Sequence, residues 1–196
     1  RFDVAFPVTD KAQLRFSYGI FTQLPSMNLI FNGSNSGGLG FSRTDAFESG
    51  LSYLMSDDVV VDMVGFYRDV DGNIAQGSYF RDYVEWHTGR HVRDLAGGYV
   101  NQDKGNIKGM DLTLKKRFSQ NYSFNVIYTL QFSRTTGSSY LSSTMDELRP
   151  IEGDRTHKFT SYLNYVVPKN VVSNSIANMI MQDLSAYSIV TFSSGG

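Results

Sequence analysis

The chain has 196 residues, 41% of them hydrophobic and 14% aromatic, with 18 glycines, no cysteine and a formal charge of −1. So much apolar side chain excludes a disordered tail, and a near-neutral charge leaves no basic excess for phosphates, so nucleic acid is not an expected partner. Apolar runs never exceed three residues, against the roughly 20 that a membrane-crossing helix needs, and without cysteine neither a disulfide nor a thiolate metal site can form.

Period-two alternation dominates what remains, and it places apolar side chains on one face of an extended strand and polar ones on the other. Phe2, Val4, Phe6 and Val8 share a face of a first predicted strand; Leu14, Phe16, Tyr18 and Ile20 oppose Arg15, Ser17 and Gly19 in a second. Phe47, Leu51, Tyr53 and Met55 oppose Glu48, Gly50 and Ser52 in a third, and a β-branched run from Val59, with Asp62 inside it, forms a fourth. Met110, Leu112 and Leu114 against Asp111, Thr113 and Lys115 make the fifth. The sixth is the clearest: Tyr122, Phe124, Val126, Tyr128, Leu130 and Phe132 alternate with Ser123, Asn125, Ile127, Thr129, Gln131 and Ser133. Phe159, Leu163 and Tyr165 against Lys158, Thr160 and Asn164 give a seventh, and a weaker eighth covers about Ser185 to Phe192.

Connections alternate in length. Thr9 to Lys11, Ser56 to Asp58 and Ser119 to Asn121 are tight polar turns, whereas Gln23 to Arg43, Asp69 to about Gly97 and Thr135 to Asp154 are long. A segment from about 168 to 184 breaks the pattern and is expected to hold a brief amphipathic helix. Short turns on one rim and long loops on the other describe an up-and-down antiparallel meander whose rims face different surroundings, and long loops are usually functional.

Two environments fit such strands: a soluble sandwich with the apolar face inward, or a membrane barrel with it outward. Tyr53, Phe118, Tyr122 and Tyr165 lie near the short connections, as an interfacial girdle requires. Arg15, Glu48, Asp62, Asp111, Lys115 and Lys158 sit inside strands among Ser, Thr, Asn and Gln, a composition suited to a hydrated lumen. The expected fold is therefore all-β, a transmembrane β-barrel segment of about eight strands with outer-membrane lipid as a partner. A soluble all-β carbohydrate-binding module would instead put Phe124, Tyr128 and Phe159 in an internal core. A small complete eight-stranded outer-membrane barrel would pair the first and last strands.

Specific words sharpen the reading. Pro7-Val8-Thr9-Asp10, the run Leu14-Arg15-Phe16-Ser17-Tyr18-Gly19-Ile20-Phe21-Thr22-Gln23-Leu24-Pro25, Phe47-Glu48-Ser49-Gly50-Leu51 with Asp57-Asp58, Phe66-Tyr67-Arg68-Asp69-Val70, and Tyr99-Val100-Asn101-Gln102-Asp103-Lys104-Gly105-Asn106-Ile107-Lys108-Gly109 resemble, in order and spacing, stretches of TonB-dependent outer-membrane receptor barrels. The resemblance covers most of residues 1 to 167. It implies a location in a Gram-negative type of outer membrane and energised import of a scarce small ligand, with a plug moved through contact with TonB. Neither plug nor TonB-box segment is legible in the chain, and a barrel of about 22 strands of about 10 residues needs roughly 220 residues before loops. Residues 1–196 are accordingly expected to form one partial barrel domain, a fragment of a larger receptor.

No catalytic constellation emerges and an enzyme is not expected: there is no Gly-x-Ser-x-Gly elbow, and His157 adjoins Lys158 at a strand start. His87 and His91 stand four apart, but the acidic residue, Glu85, precedes them and Gly89 weakens a helix there, so metal is not expected. Asp69-Val70-Asp71-Gly72-Asn73 lacks the distal glutamate of a calcium loop, Phe80 standing in its place. No cofactor is expected. Ligand-contact candidates are the aromatic and polar side chains of the long loops: Phe31, Asn32, Tyr79, Phe80, Tyr83, Trp86, His87, Arg90 and His91.

Overall fold

A computed structural model describes residues 1–31, 39–137, 147–151, 154–168 and 184–194, the side chains of 31, 76–82 and 94–97 falling outside that description. One antiparallel sheet runs through β1 (Phe2–Thr9), β2 (Ala12–Gln23), β3 (Ser42–Ser56), β4 (Val59–Val84), β5 (His91–Ser119), β6 (Tyr122–Thr135), β8 (His157–Val166) and β9 (Ser185–Ser193), with the two-residue β7 (Arg149–Pro150) on the end of β6 and a single-turn helix α1 (Met27–Phe31) after β2. The eight long strands follow the eight read from alternation. Neighbours in sequence are neighbours in the sheet, which is the meander the loop lengths call for.

Three tight turns close one rim. In the last of them Gln120 and Asn121 have φ of 51° and 69°, the left-handed pair of a turn whose twist matches its flanking strands. Register shifts fall beside all three turns, between Pro7 and Thr9, Leu54 and Ser56, and Lys116 and Ser119. Among the described residues β1 and β9 pair on one side only and not with each other. The closure expected of a complete eight-stranded barrel is not seen.

Register decides which residues share a face. Tyr18 stands opposite Phe47, Phe47 opposite Tyr67, Met63 opposite Leu112, Leu112 opposite Tyr128 and Tyr128 opposite Phe159, so the oily positions of successive strands merge into one surface. That surface is the exposed one: Phe47 is 49% exposed, Met63 45% and Phe132 42%, while Ser133 is 6% and Thr160 9% exposed on the opposite face. A soluble sheet has the reverse preference, since removing apolar area from water drives its folding. Tyr53, Tyr122 and Tyr165 share the outward face near the short turns, with Tyr122 directly across from Tyr165, as a girdle requires.

The soluble-module expectation is thereby corrected. Phe124, Tyr128 and Phe159 lie on the outward face, the described residues supply no second layer, and their buried apolar side chains are Ala46 and Ala75. A second correction concerns Asp69 to Gly97. This stretch is not a loop: β4 and β5 stay paired from Val59↔Lys116 out to Val84↔His91. At about 3.3 Å per residue β4 is about 85 Å long, more than twice the span of a tilted membrane strand. The expected helix between 168 and 184 falls at residues 169–183, outside the described residues.

Candidate functional site

The long hairpin projects from the long-loop rim as an arm. Its tip, Glu85 to Arg90, is a closed turn in which the Glu85 carbonyl accepts from Gly89 N at 2.8 Å and the Arg90 carbonyl accepts from Glu85 N at 2.9 Å. Gly89 adopts φ of +64°, which a side chain disfavours. Tyr83, Trp86, His87, Arg90 and His91 therefore gather at the tip, all exposed, Trp86 at 92%. His87 lies in the turn and His91 opens β5, so the helical four-residue spacing needed for a shared zinc does not arise. Tyr79 and Phe80 occupy β4 within the arm, their side chains outside the description, and Asn32 is outside the described residues altogether.

Phe31 ends α1, at the other end of this arm. Leu24, Pro25, Ser26 and Leu29 line a recess of about 310 Å³ with Gln23, Ser42, Asn73, Ile74 and Asp103, at the level where β4 and β5 leave the barrel wall. Val84 lies ten residue steps along the strand from Ile74, about 33 Å of chain. The candidates thus divide between arm tip and arm base instead of forming one pocket.

The base is tied by residues that sequence reasoning passed over. β4 bulges between Val70 and Asn73, with Gly72 at φ +69°. Asn101 spans the bulge: its amide nitrogen donates to the carbonyls of Gly72 (2.7 Å) and Gly40 (3.1 Å), and its oxygen accepts from Gly40 N (2.7 Å). Asp103, 9% exposed, accepts from Thr136 Oγ1 at 3.0 Å. Asp69 to Asn73, which resembled a degenerate calcium loop, is this bulge.

Below the rim the face opposite the apolar one is polar and internally paired. Arg15 meets Asp62 at 2.9 Å, Ser52 Oγ donates to Asp62 at 2.6 Å, Arg68 meets Glu48 at 3.3 Å and Thr129 donates to Asp111 at 2.6 Å. Glycines make room for the bulky members: a Cβ on Gly50 would lie 2.8 Å from Arg15 Nε, and one on Gly109 would lie 2.8 Å from the Phe66 ring. Arg68 rests over that ring, 5.3 Å from its centroid. Such a face is suited to a wet interior. At the opposite rim, Asp58 accepts from Lys116 Nζ at 2.9 Å and from Ser119 Oγ. The Ser119, Lys116 and Ser56 contacts hold its carboxyl well below the usual carboxylate range.

No family model and no curated protein sequence matches the chain. Solved structures do. The ferric-catecholate import receptor Fiu from Escherichia coli K12 aligns over 85% of the chain at 15% identity with a TM-score of 0.55. The alcaligin outer-membrane receptor FauA from Bordetella pertussis aligns over 98% at 15% identity and 0.56, and the siderophore receptor PirA from Acinetobacter baumannii over 97% at 12% identity and 0.59. At that identity the likeness shows the fold alone, an antiparallel wall of the kind found in outer-membrane β-barrels. The chain spans 22%, 28% and 33% of those three proteins. All three are named as receptors, none as an enzyme.

Proposed function

We propose that the chain is a partial barrel domain of a TonB-dependent receptor in the outer membrane of a Gram-negative type of cell, and that it helps to import a scarce ligand such as a siderophore or an oligosaccharide. The observation that carries this reading is the inside-out sheet, oily and exposed on one face and ion-paired on the other, with an arm rising from the long-loop rim. The ferric-catecholate, alcaligin and siderophore receptors named above lend the ligand class, and a copper transporter, OprC, has the same fold over 96% of this chain. The plug and its contact with TonB are assigned on this reading to a part of the receptor outside residues 1–196. Ligand capture falls to the arm tip, where Tyr83, Trp86, His87, Arg90 and His91 can stack on and hydrogen-bond to a polar, partly aromatic molecule, with Phe31, Asn32, Tyr79 and Phe80 as further candidates.

Fractionation and uptake test it together. The protein is expected in the outer-membrane fraction, soluble only with detergent. Removing residues 75–100 is expected to abolish energy-dependent uptake of a ferric siderophore by iron-starved cells while the barrel still assembles. A monodisperse protein in the aqueous phase without detergent would overturn the reading.

A further inference from the structure

Resting on the membrane reading above, we infer that the outward face of the wall carries a binding site for a phospholipid of net negative headgroup charge in the leaflet on the long-loop side. The site is a trough of about 760 Å³, within the usual range for ligand pockets. Its floor exists because the two smallest outward residues of this region are paired: Ser49 stands directly opposite Gly65. Phe47, Tyr67, Met110 and Phe132 rise around them, with Lys108 at the upper end.

Depth argues for lipid. Counted from the short turn of its own strand, Phe16 at the lower end of the trough is about five residues up and Lys108 about twelve, which at about 3.3 Å per residue and a tilt of about 40° are heights of about 13 and 30 Å. The trough therefore runs from about the middle of an apolar band some 25 Å tall to just above its upper edge. One leaflet of acyl chain has that reach, and its phosphate would lie level with Lys108.

Charge then selects the headgroup. Arg134 faces Asn106 and Phe132 faces Lys108, so Arg134 is the diagonal neighbour of Lys108 on the same face, about 7–8 Å away. Both are exposed, and among the described residues neither takes part in an ion pair. Of the nearby groups at this level, Arg43 and Asp45 satisfy each other at 2.9 Å and Asp69 is a single carboxylate. A net-anionic phosphate headgroup meets two cations there, each worth about 1 kcal/mol near a charged lipid surface, whereas a phosphate already neutralised by its own headgroup ammonium gains little.

The test uses protein purified from outer membranes in an uncharged detergent, offered phosphatidylglycerol and phosphatidylcholine of equal chain length, with retained lipid counted by native mass spectrometry. Phosphatidylglycerol is expected to be retained about tenfold over phosphatidylcholine, and K108E/R134E to bring the ratio near one. Gly65→Leu is expected to lower retention of both lipids alike. The backbone at Gly65 leaves room for a side chain to project into the trough, since a Cβ there meets only the Ser49 carbonyl oxygen, at 3.9 Å. Equal retention of both lipids by the unmodified protein, a ratio unmoved by K108E/R134E, or lipid-free dimers joined through this face would overturn the inference. Failure of the barrel reading is distinguishable, because the protein would then leave the outer-membrane fraction before any lipid is added.

Discussion

Gly109 and Gly65 stand one register step apart on the same strand pair, and space alone separates their tolerance of a side chain. A Cβ on Gly109 would collide with the Leu130 carbonyl oxygen and lie 2.8 Å from the Phe66 ring, whereas one on Gly65 would meet nothing nearer than 3.9 Å. Neither glycine is left-handed, so conformational strain does not enter. Phe66 can swing aside, but the Leu130 carbonyl belongs to the β5–β6 ladder and cannot move without stretching it. Gly109→Ala is therefore expected at the upper end of the usual overpacking cost, about 3 kcal/mol, roughly a hundredfold in the folding equilibrium. Gly65→Ala is expected to stabilise by about 0.5 kcal/mol, since alanine gives up less backbone freedom than glycine. Urea unfolding in lipid vesicles, read by the heat-modifiable mobility of the folded band, measures both. A Gly109→Ala midpoint equal to that of the unmodified protein would refute the packing described for β4, β5 and β6.

Other perturbations probe the wall, the rim and the arm. Val126→Arg, near mid-membrane on the outward face, is expected to cost about 2–4 kcal/mol and Phe132→Arg, near the upper edge, about 1 kcal/mol or less from the charge itself, so the two unfolding midpoints map the apolar band. Asp58 is held below its ordinary value, so the stability it contributes is complete above the unfolded carboxylate value near pH 4 and is lost as pH falls through the depressed one; acid unfolding should be flat from pH 8 to 5, and Asp58→Asn should flatten its onset below pH 4. Asn101→Ala removes three hydrogen bonds at the arm base and is expected to speed amide exchange at Gly40 about tenfold while leaving the wall strands unchanged, a contrast that residue-resolved exchange would detect. Arg15→Leu should shift the unfolding midpoint by less than about 1 kcal/mol, because its pair with Asp62 stays substantially exposed.

Legibility followed the membrane. Where one face meets hydrocarbon and the other water, side chains must alternate, and the period in Tyr122 to Ser133 predicted β6 to within two residues. The turn at Gln120 and Asn121, the girdle tyrosines and the polar wall were visible for the same reason. In β9 the pattern faded because Tyr187 and Ile189 point with Asn164 and Tyr162 to the inner face.

Above the membrane both faces of a strand see water, nothing enforces alternation, and period-two reasoning has no signal to find. Alternation alone therefore makes a loop of the stretch from Asp69 to Gly97, the more so because Asp71-Gly72-Asn73 carries the composition of a turn, although it serves as a bulge inside a continuing strand. Strand pairing there is upheld by its own ladder and by Asn101, whose partners are backbone groups with no sequence signature. The backbone positions of the candidate aromatics Phe31, Tyr79, Phe80, Tyr83 and Trp86 all fall on the long-loop side, because that placement depends on the rim and not on the conformation. What could not be read was their separation: a loop could fold Phe31 and Trp86 together, whereas a strand pair that stays in register from Val59↔Lys116 out to Val84↔His91 holds Trp86 away from the rim recess.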